Sequence, residues 1–466
     1  MHICLFCLPL ISGLTLLVAT IFDVHADMSW YDQNRIGQIA LLAVTGIGWI
    51  GMWCQGVGLT LARLPGWVIW ALTGVWGAGL LSAAKSVYPR FALLEWATFV
   101  LLAGLVFLIA QTYRDRPSVF QRGMVVLLAA VSIVILVKVM VGYVAALMEG
   151  VRLDTVLLFE GTFSNRRFFG QVATLLIPLF AWVGMSNMRF RLGWFALTCA
   201  WWMLVFVSGT RGTWLALAMA YAGVLLWAGR RAFAFMRWQL LAAALGLAMY
   251  WLLFYSLPPL LGMEAGVENR LDNLSSLSGR EVIWRLAWEY MLAHPWLGVG
   301  PMHFAALPNP VGAHPHNAIL QLLAEWGIPA ALAAVVLALG GLIAFARPLR
   351  QKVDVLRLAL LTSLLAACVQ SMVDGVIVIP YTQTWLAVLA GWALGVHWSG
   401  QPVPQASPSR FISSGLRVGA VLALGLLIWG VWPEILNRPE ATAAYLEHHD
   451  SLAPRYWAQG WIDTRQ

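Results

Sequence analysis

Charge is what this sequence has least of. Asp, Glu, Lys and Arg together make up 11% of its 466 residues, against about a quarter in an ordinary soluble domain. With 61% hydrophobic residues, such a chain cannot clothe a water-facing surface, which excludes a soluble enzyme or a free-standing binding module. Short segments of alternating polarity are missing too, which excludes an outer-membrane barrel. There is no internal repeat and no soluble domain of any size. Cysteine is sparse: Cys4, Cys7, Cys54, Cys199 and Cys368 all lie within or beside apolar runs. The Cys4-x-x-Cys7 pair has no basic neighbour to favour a thiolate, so neither a disulfide nor a cysteine metal site is expected.

What is abundant is apolar sequence. Runs of about twenty residues, each long enough to cross a bilayer, centre at 3–22, 37–54, 67–84, 91–111, 123–147, 169–186, 194–208, 212–228 and 239–257, then at 328–346, 358–379, 382–398 and 415–432. They predict an all-α polytopic membrane protein with about 12–13 transmembrane helices. Four parts follow: an N-terminal transmembrane bundle (1–257), a helical extramembrane segment between spans nine and ten (258–327), C-terminal transmembrane helices (328–432) and a short terminal tail (433–466). The first run could pass for a signal peptide, since Val24-His25-Ala26 resembles a cleavage site. No Lys or Arg precedes it and it is long for a signal core, so it reads as a retained span. The 26 Trp read first as headgroup-level anchors.

The net charge of +8 is a topology signal rather than a nucleic-acid footprint. With the N-terminus inside, the inside connections hold Arg63; Arg114, Arg116 and Arg122; Arg189 and Arg191; Arg230, Arg231 and Arg237; Arg347, Arg350, Lys352 and Arg357; Arg410 and Arg417. Only Asp115 and Asp354 oppose them. Short basic loops all on one face satisfy the positive-inside rule and put 258–327 outside, with the 433–466 tail. Residues 399–413, rich in Pro and Ser, read as an inside linker.

Segment 258–327 is the largest place left for chemistry. Ser278-Gly279-Arg280-Glu281 has the form of a capping box, so a helix should start there and stop before Pro295. Arg280 then sits in a first turn, where a cation suits neither the orphan N–H groups nor the helix dipole unless an anion binds. It is a candidate phosphate ligand or, more simply, a solvated arginine. A second helix should open at Asn317, an effective N-cap, and stop at Gly327. His316 lies just before it. A histidine ordinarily titrates close to working pH, so it can take or give a proton; the plainer reading is a histidine bonded to a helix end. His303, His314 and His316 are not spaced like a typical zinc site. On the same face lie Ser208-Gly209-Thr210-Arg211-Gly212, between two spans, and Asn165-Arg166-Arg167, entering another. Snorkelling is the plain reading of Arg211. Asp374 stands in an apolar run near the outer end of its span, where a carboxylate is costly enough to suggest function. Arginines, one histidine and one carboxylate near one membrane face suit a diphosphate leaving group above a lipid anchor.

These residues carry a resemblance. His316-Asn317, nine residues, then Gly327-Ile328-Pro329-Ala330 is similar to the His-Asn-x9-Gly-x-x-Gly signature of the O-antigen ligase superfamily, with Ala330 in place of the last glycine. That superfamily includes O-antigen polymerases and bacterial protein O-oligosaccharyltransferases. Gly298-x-Gly300, Ser208 to Gly212, Ser278-Gly279-Arg280 and Gln370 to Gly375 stand where the family has similar short motifs, and the resemblance is strongest from about 160 to 395.

The resemblance implies a GT-C-type glycosyltransferase of the bacterial inner membrane, active at its periplasmic face and needing no metal or other cofactor. The donor would be a glycan on undecaprenyl pyrophosphate and the acceptor lipid A–core. His316 would activate the acceptor hydroxyl, Arg211 and Arg280 would hold the pyrophosphate, and Asp374 would orient acceptor or histidine. Arg166, Arg167, Asn317 and His314 are candidate substrate contacts. A polymerase or protein glycosyltransferase with the same donor is the alternative. A flippase or transporter would show inverted repeats and charge near the bilayer midplane; here Lys138 is the main mid-span charge. Oligomeric state and glycan identity are not legible.

Overall fold

The computed structural model describes residues 28–54, 64–155, 157–160, 163–263, 279–306, 309–400, 410–449 and 451–462. The expected first span at 3–22, Arg63, Ser278 and most of the 399–413 linker lie outside them. Fourteen helices of more than one turn follow in order among the described residues: α1 Trp30–Cys54, α2 Gly66–Lys85, α3 Pro89–Asp115, α4 Pro117–Glu149, α5 Arg166–Ser186, α6 Arg191–Ser208, α7 Arg211–Ala228, α8 Phe233–Tyr250, α9 Arg280–Ala293, α10 Ala318–Ala346, α11 Val355–Gln370, α12 Pro380–Ser399, α13 Arg410–Ile435 and α14 Arg438–Leu446. No strand occurs among the described residues.

Every apolar run from 37–54 onward forms a helix over most or all of its length, 358–379 only to Gln370, and the protein is a polytopic helical membrane protein. Eight helical stretches among the described residues are long and apolar enough to cross a membrane, fewer than expected from sequence for identifiable reasons. A 3-10 turn, Gly229–Ala232, joins α7 to α8, so that 211–260 is one helical run. Helix α11 stops at Gln370, leaving sixteen residues where a longer span was expected. Helix α12 opens with buried Thr382, Gln383 and Thr384. That polar first turn lowers the hydropathy of α12.

Helix α5 is the axis. Its residues from Phe168 to Gly184 are all buried, and it packs on α6, α7, α11 and α12. In a bilayer, apolar surface gains little by leaving lipid, so close approach and polar ties hold helices together. Gly391 and Gly395 on α12 illustrate the first: a Cβ there would lie 2.7 Å from Ile109 Cβ and 2.9 Å from the Ala110 carbonyl of α3. A larger residue at Gly391 would force the pair apart.

Tryptophan requires a correction. Trp67, Trp70, Trp251, Trp288, Trp296, Trp429 and Trp432 are exposed, as interfacial anchors would be, but Trp201, Trp326, Trp385, Trp392 and Trp457 are among the largest fully buried side chains. They fill the spaces between helices.

Candidate functional site

The histidine loop is built as its sequence implies, with one surprise. The Asn317 side chain accepts from Leu320 N–H at 3.0 Å and caps α10. At Gly327 the helix breaks (φ 82°, ψ 170°) and resumes. A Cβ there would meet the Trp296 carbonyl at 2.3 Å, so only glycine permits this turn. His316 has φ 52°, a left-handed conformation that costs a non-glycine residue about 1–2 kcal/mol. Its backbone N–H donates to His314 Nδ1 at 3.2 Å, and the two rings lie 4.0 Å apart.

His314 is buried beneath it, and its ring fills the space a Cβ on Gly375 would need, at 2.6 Å. Burial, with the charges of His316, Arg455 and Arg167 adding to it, pushes its pKa well below the ordinary histidine value. It is therefore neutral, as an Nδ1 that accepts a hydrogen bond must be. His303 lies elsewhere: its Nε2 accepts from Tyr88 N–H at 2.9 Å, and its ring stacks on Tyr88.

Opposite the histidines runs the turn 371–379 between α11 and α12. Asp374 lies in this turn and not in the span expected for it, because α11 ends at Gln370. Two backbone ties bring the turn to the histidine loop: Ala318 N–H to the Ser371 carbonyl at 2.8 Å, and Asn317 Nδ2 to the Met372 carbonyl at 3.1 Å. Asp374 Oδ1 accepts from Gly375 N–H at 2.8 Å and stands 3.8 Å from His316 Nδ1. That separation is an ion-pair distance, longer than a hydrogen bond. His316 Nδ1 is shielded from solvent and has no hydrogen-bond partner among the described residues. Burial by itself would raise the Asp374 carboxyl, but His316, the Gly375 N–H and Arg167 together hold it below the usual carboxylate range. The His316 side chain keeps 20% of its surface exposed against 9% for Asp374, so the imidazole is the member of the pair a substrate can reach.

The arginines share one structural position. Arg166, Arg211 and Arg280 are each the first residue of a helix: α5 after its Asn165 cap, α7 after Thr210, α9 after left-handed Gly279. A helix N-terminus already carries positive dipole charge, and a cation there is unfavourable by about 0.3–1 kcal/mol unless an anion arrives. Arg280 is half-buried. Burial lowers its pKa first, and the charges of Arg167 and Arg211 lower it further while Asp374 acts the other way. Arg167, Arg211 and Asp374 are thus each within electrostatic reach of Arg280. The expected start of α9 at a Ser278 cap lies outside the described residues; Gly279 holds the capping position.

Hydroxyls lock the arginine-bearing turns together. Ser208 Oγ meets Thr210 Oγ1 at 2.9 Å, Thr210 Oγ1 donates to Thr213 Oγ1 at 3.0 Å, and Gln370 Nε2 donates to the same Thr213 oxygen at 3.2 Å. Gln370 Oε1 in turn accepts from Thr174 of α5 at 2.8 Å. The chain Ser208–Thr210–Thr213–Gln370–Thr174 joins α7, α11 and α5, beside Arg211 and the Asp374 turn and about two helical turns along α5 from Arg167. On the other side, Trp284 Nε1 of α9 donates to the Pro315 carbonyl at 3.0 Å, tying the Arg280 helix to the His316 loop.

Sequence reasoning missed three charged residues. Arg455 is buried and its Nη2 bonds Glu95 of α3 at 2.7 Å and Glu325 of α10 at 2.6 Å. Glu95, a carboxylate inside the apolar run 91–111, was a usable signal; its partner, far along the chain, was not.

Residues 194–335 match the family model described as O-antigen ligase, which supports the O-antigen ligase superfamily and a ligase- or polymerase-type activity. The matched stretch includes Arg211, Arg280, His314, His316 and Asn317; Arg166, Arg167, Asp374 and Arg455 lie beyond it. No curated protein was found to match the chain.

Proposed function

We propose that this protein is an O-antigen ligase of the bacterial inner membrane, transferring a polysaccharide from undecaprenyl pyrophosphate to lipid A–core at the periplasmic face. The observation that carries the proposal is the grouping of Arg167, Arg211 and Arg280 with Asp374 of the His316–Asp374 pair. It offers a place for an anionic leaving group beside a base.

In this reading the donor's pyrophosphate lies among Arg211, Arg280 and Arg167, with Arg166 behind them, and its polyprenyl chain runs into lipid. Arginine forks suit phosphate oxygens, and preorganised cations stabilise charge as it develops on the leaving group. The Nδ1 edge of His316 faces Asp374, so Nε2 is the nitrogen free to act. It takes the proton from the acceptor hydroxyl as that oxygen attacks the anomeric carbon. The bond from that carbon to the pyrophosphate oxygen breaks, undecaprenyl pyrophosphate leaves, and the anomeric configuration inverts. Asp374 then faces the imidazolium that results. Neutral His314 supports the loop from below, and Asn317 spends its amide on the cap and the Met372 tie; both serve placement and not substrate contact. No metal enters these steps, and the GT-C assignment goes with this chemistry.

The test is reconstitution in nanodiscs with undecaprenyl-pyrophosphate glycan and purified lipid A–core. Glycosylated lipid A–core is the expected product. Product formed only when a second glycan repeat or a protein is supplied as acceptor would replace the ligase with a polymerase or a protein O-oligosaccharyltransferase.

A further inference from the structure

The segment 451–462 plays no part in the chemistry above, yet every residue from Arg455 to Ile462 is buried. It is irregular chain, and its polar groups are satisfied by helices far away in sequence. The Ala458 N–H donates to Asp32 at 2.8 Å, the Tyr456 carbonyl accepts from Arg35 Nε at 2.8 Å, and Trp457 Nε1 donates to Glu434. Its anchors are therefore on α1, α3 and α13, away from the reacting groups.

From those anchors it reaches both halves of the candidate site. The Arg455 guanidinium bonds Glu325, on the unbroken stretch of α10 that starts at the Asn317 cap beside His316. The other Glu325 oxygen accepts from Phe304 N–H at 3.0 Å. The Arg455 backbone carbonyl accepts from Tyr31 and from Arg35. Arg35 Nη2 also donates to the Val378 carbonyl at 2.8 Å, and the Tyr31 hydroxyl lies 3.2 Å from that oxygen, in the turn that carries Asp374. Farther on, Ile462 N–H donates to the Ala305 carbonyl at 3.1 Å, and Trp461 packs on Ala305 and Ala313 just ahead of His314.

We infer that Arg455–Ile462 is a positioning element that sets His316 against Asp374, with Arg455 as its central residue: the side chain fixes the histidine helix and the carbonyl helps to fix the aspartate turn. The inference rests on the reading of His316 and Asp374 as reacting groups. A pair 3.8 Å apart depends on such placement, because a shift of about 1 Å at reacting groups can cost about 10²-fold in rate.

The experiment uses the full chain in nanodiscs, as wild type, Arg455→Met, Arg455→Lys and Trp461→Ala. The last removes the Trp461 ring from its cluster with Ala305, Ala313 and Tyr445 and leaves the Arg455 ties in place, and it serves if Arg455→Met does not fold. The first readout needs no turnover: the rate of diethyl pyrocarbonate modification at His316, by mass spectrometry, with exposed His448 as internal reference. The expected result is a change of about fivefold or more at His316 in Arg455→Met, less in Trp461→Ala, and none at His448. The second readout is transfer kinetics on folded protein. Here kcat should fall about 10²-fold with the donor KM within about twofold, and Arg455→Lys should recover part of the loss. Unchanged His316 modification in a folded variant overturns the inference, as does a loss that resides in KM. If wild type transfers nothing to any acceptor, the functional reading fails, and the modification rates alone decide the positioning.

Discussion

The two faces of this membrane protein both carry arginines, and they carry them differently. On the basic face the side chains find ordinary partners. Arg350 lies 4.0 Å over the Trp227 ring, Arg189 5.3 Å over Phe190, and Arg191 5.8 Å over Trp238. Arg357 bonds the Phe345 carbonyl at 2.9 Å and stands 3.7 Å from Asp354. Arginines open helices on both faces, Arg191 on the basic one and Arg166, Arg211 and Arg280 on the other; the difference is that Arg280 is half-buried, and Arg167 and Arg211 act on it with charge of the same sign. The number of cations does not mark the site, because the basic face has more. What marks it is cations held where their own electrostatics are unfavourable, which is the arrangement an anionic ligand relieves.

The sharpest way to break that contrast is to remove cations from each face in turn. Replacing both Arg211 and Arg280 by Ala should lower glycan transfer by about 10³-fold or more, since one preorganised donor at a developing charge is worth about 10²–10³. Arg350→Ala, on the basic face, should leave the rate within about twofold. Equal losses on the two faces would end the argument from placement. Lysine at Arg211 or Arg280 should restore only part of the rate, because an ammonium cannot reproduce a planar fork.

A smaller effect sharpens the role of the carboxylate. Asp374→Asn keeps the shape of the turn and removes the charge facing His316, and transfer should fall about 10²-fold, read as kcat at saturating donor. A rate within twofold of wild type would reduce Asp374 to a turn-capping residue.

The smallest effect is on stability. Burial keeps the folded-state pKa of His314 well below the ordinary value, so an unfolded chain takes up a proton that the folded chain refuses. Stability is then lost as pH falls below about 6.5, the unfolded histidine value. The melting temperature should drop between about pH 6.5 and pH 5, and His314→Gln should flatten that slope. A slope that survives the substitution would assign the acid sensitivity to other groups.

Much of this was legible in sequence because it is local. Asn317 caps its own helix, Gly327 breaks it, Pro295 limits the one before, and Arg211 follows a turn too short to hide it. Asp374 was placed in a span because the residues around it are apolar. That apolarity comes instead from a buried turn, folded against the histidine loop by Asn317 and Ala318. The 433–466 segment read as a plain tail because irregular chain has no periodicity. The burial of Arg455–Ile462 within it follows from Asp32, Glu95 and Glu325, hundreds of residues earlier in the case of the first two. The buried tryptophans misled for the same reason: composition cannot separate a ring at the lipid headgroups from one between two helices.

The most direct measurement is single-turnover transfer from undecaprenyl-pyrophosphate glycan to lipid A–core by wild type and His316→Ala, with the folding of each checked by its elution and melting. The account predicts product from wild type and a rate at least about 10³-fold lower from the folded variant. Transfer by His316→Ala at the wild-type rate would contradict it, and the base would have to be sought elsewhere.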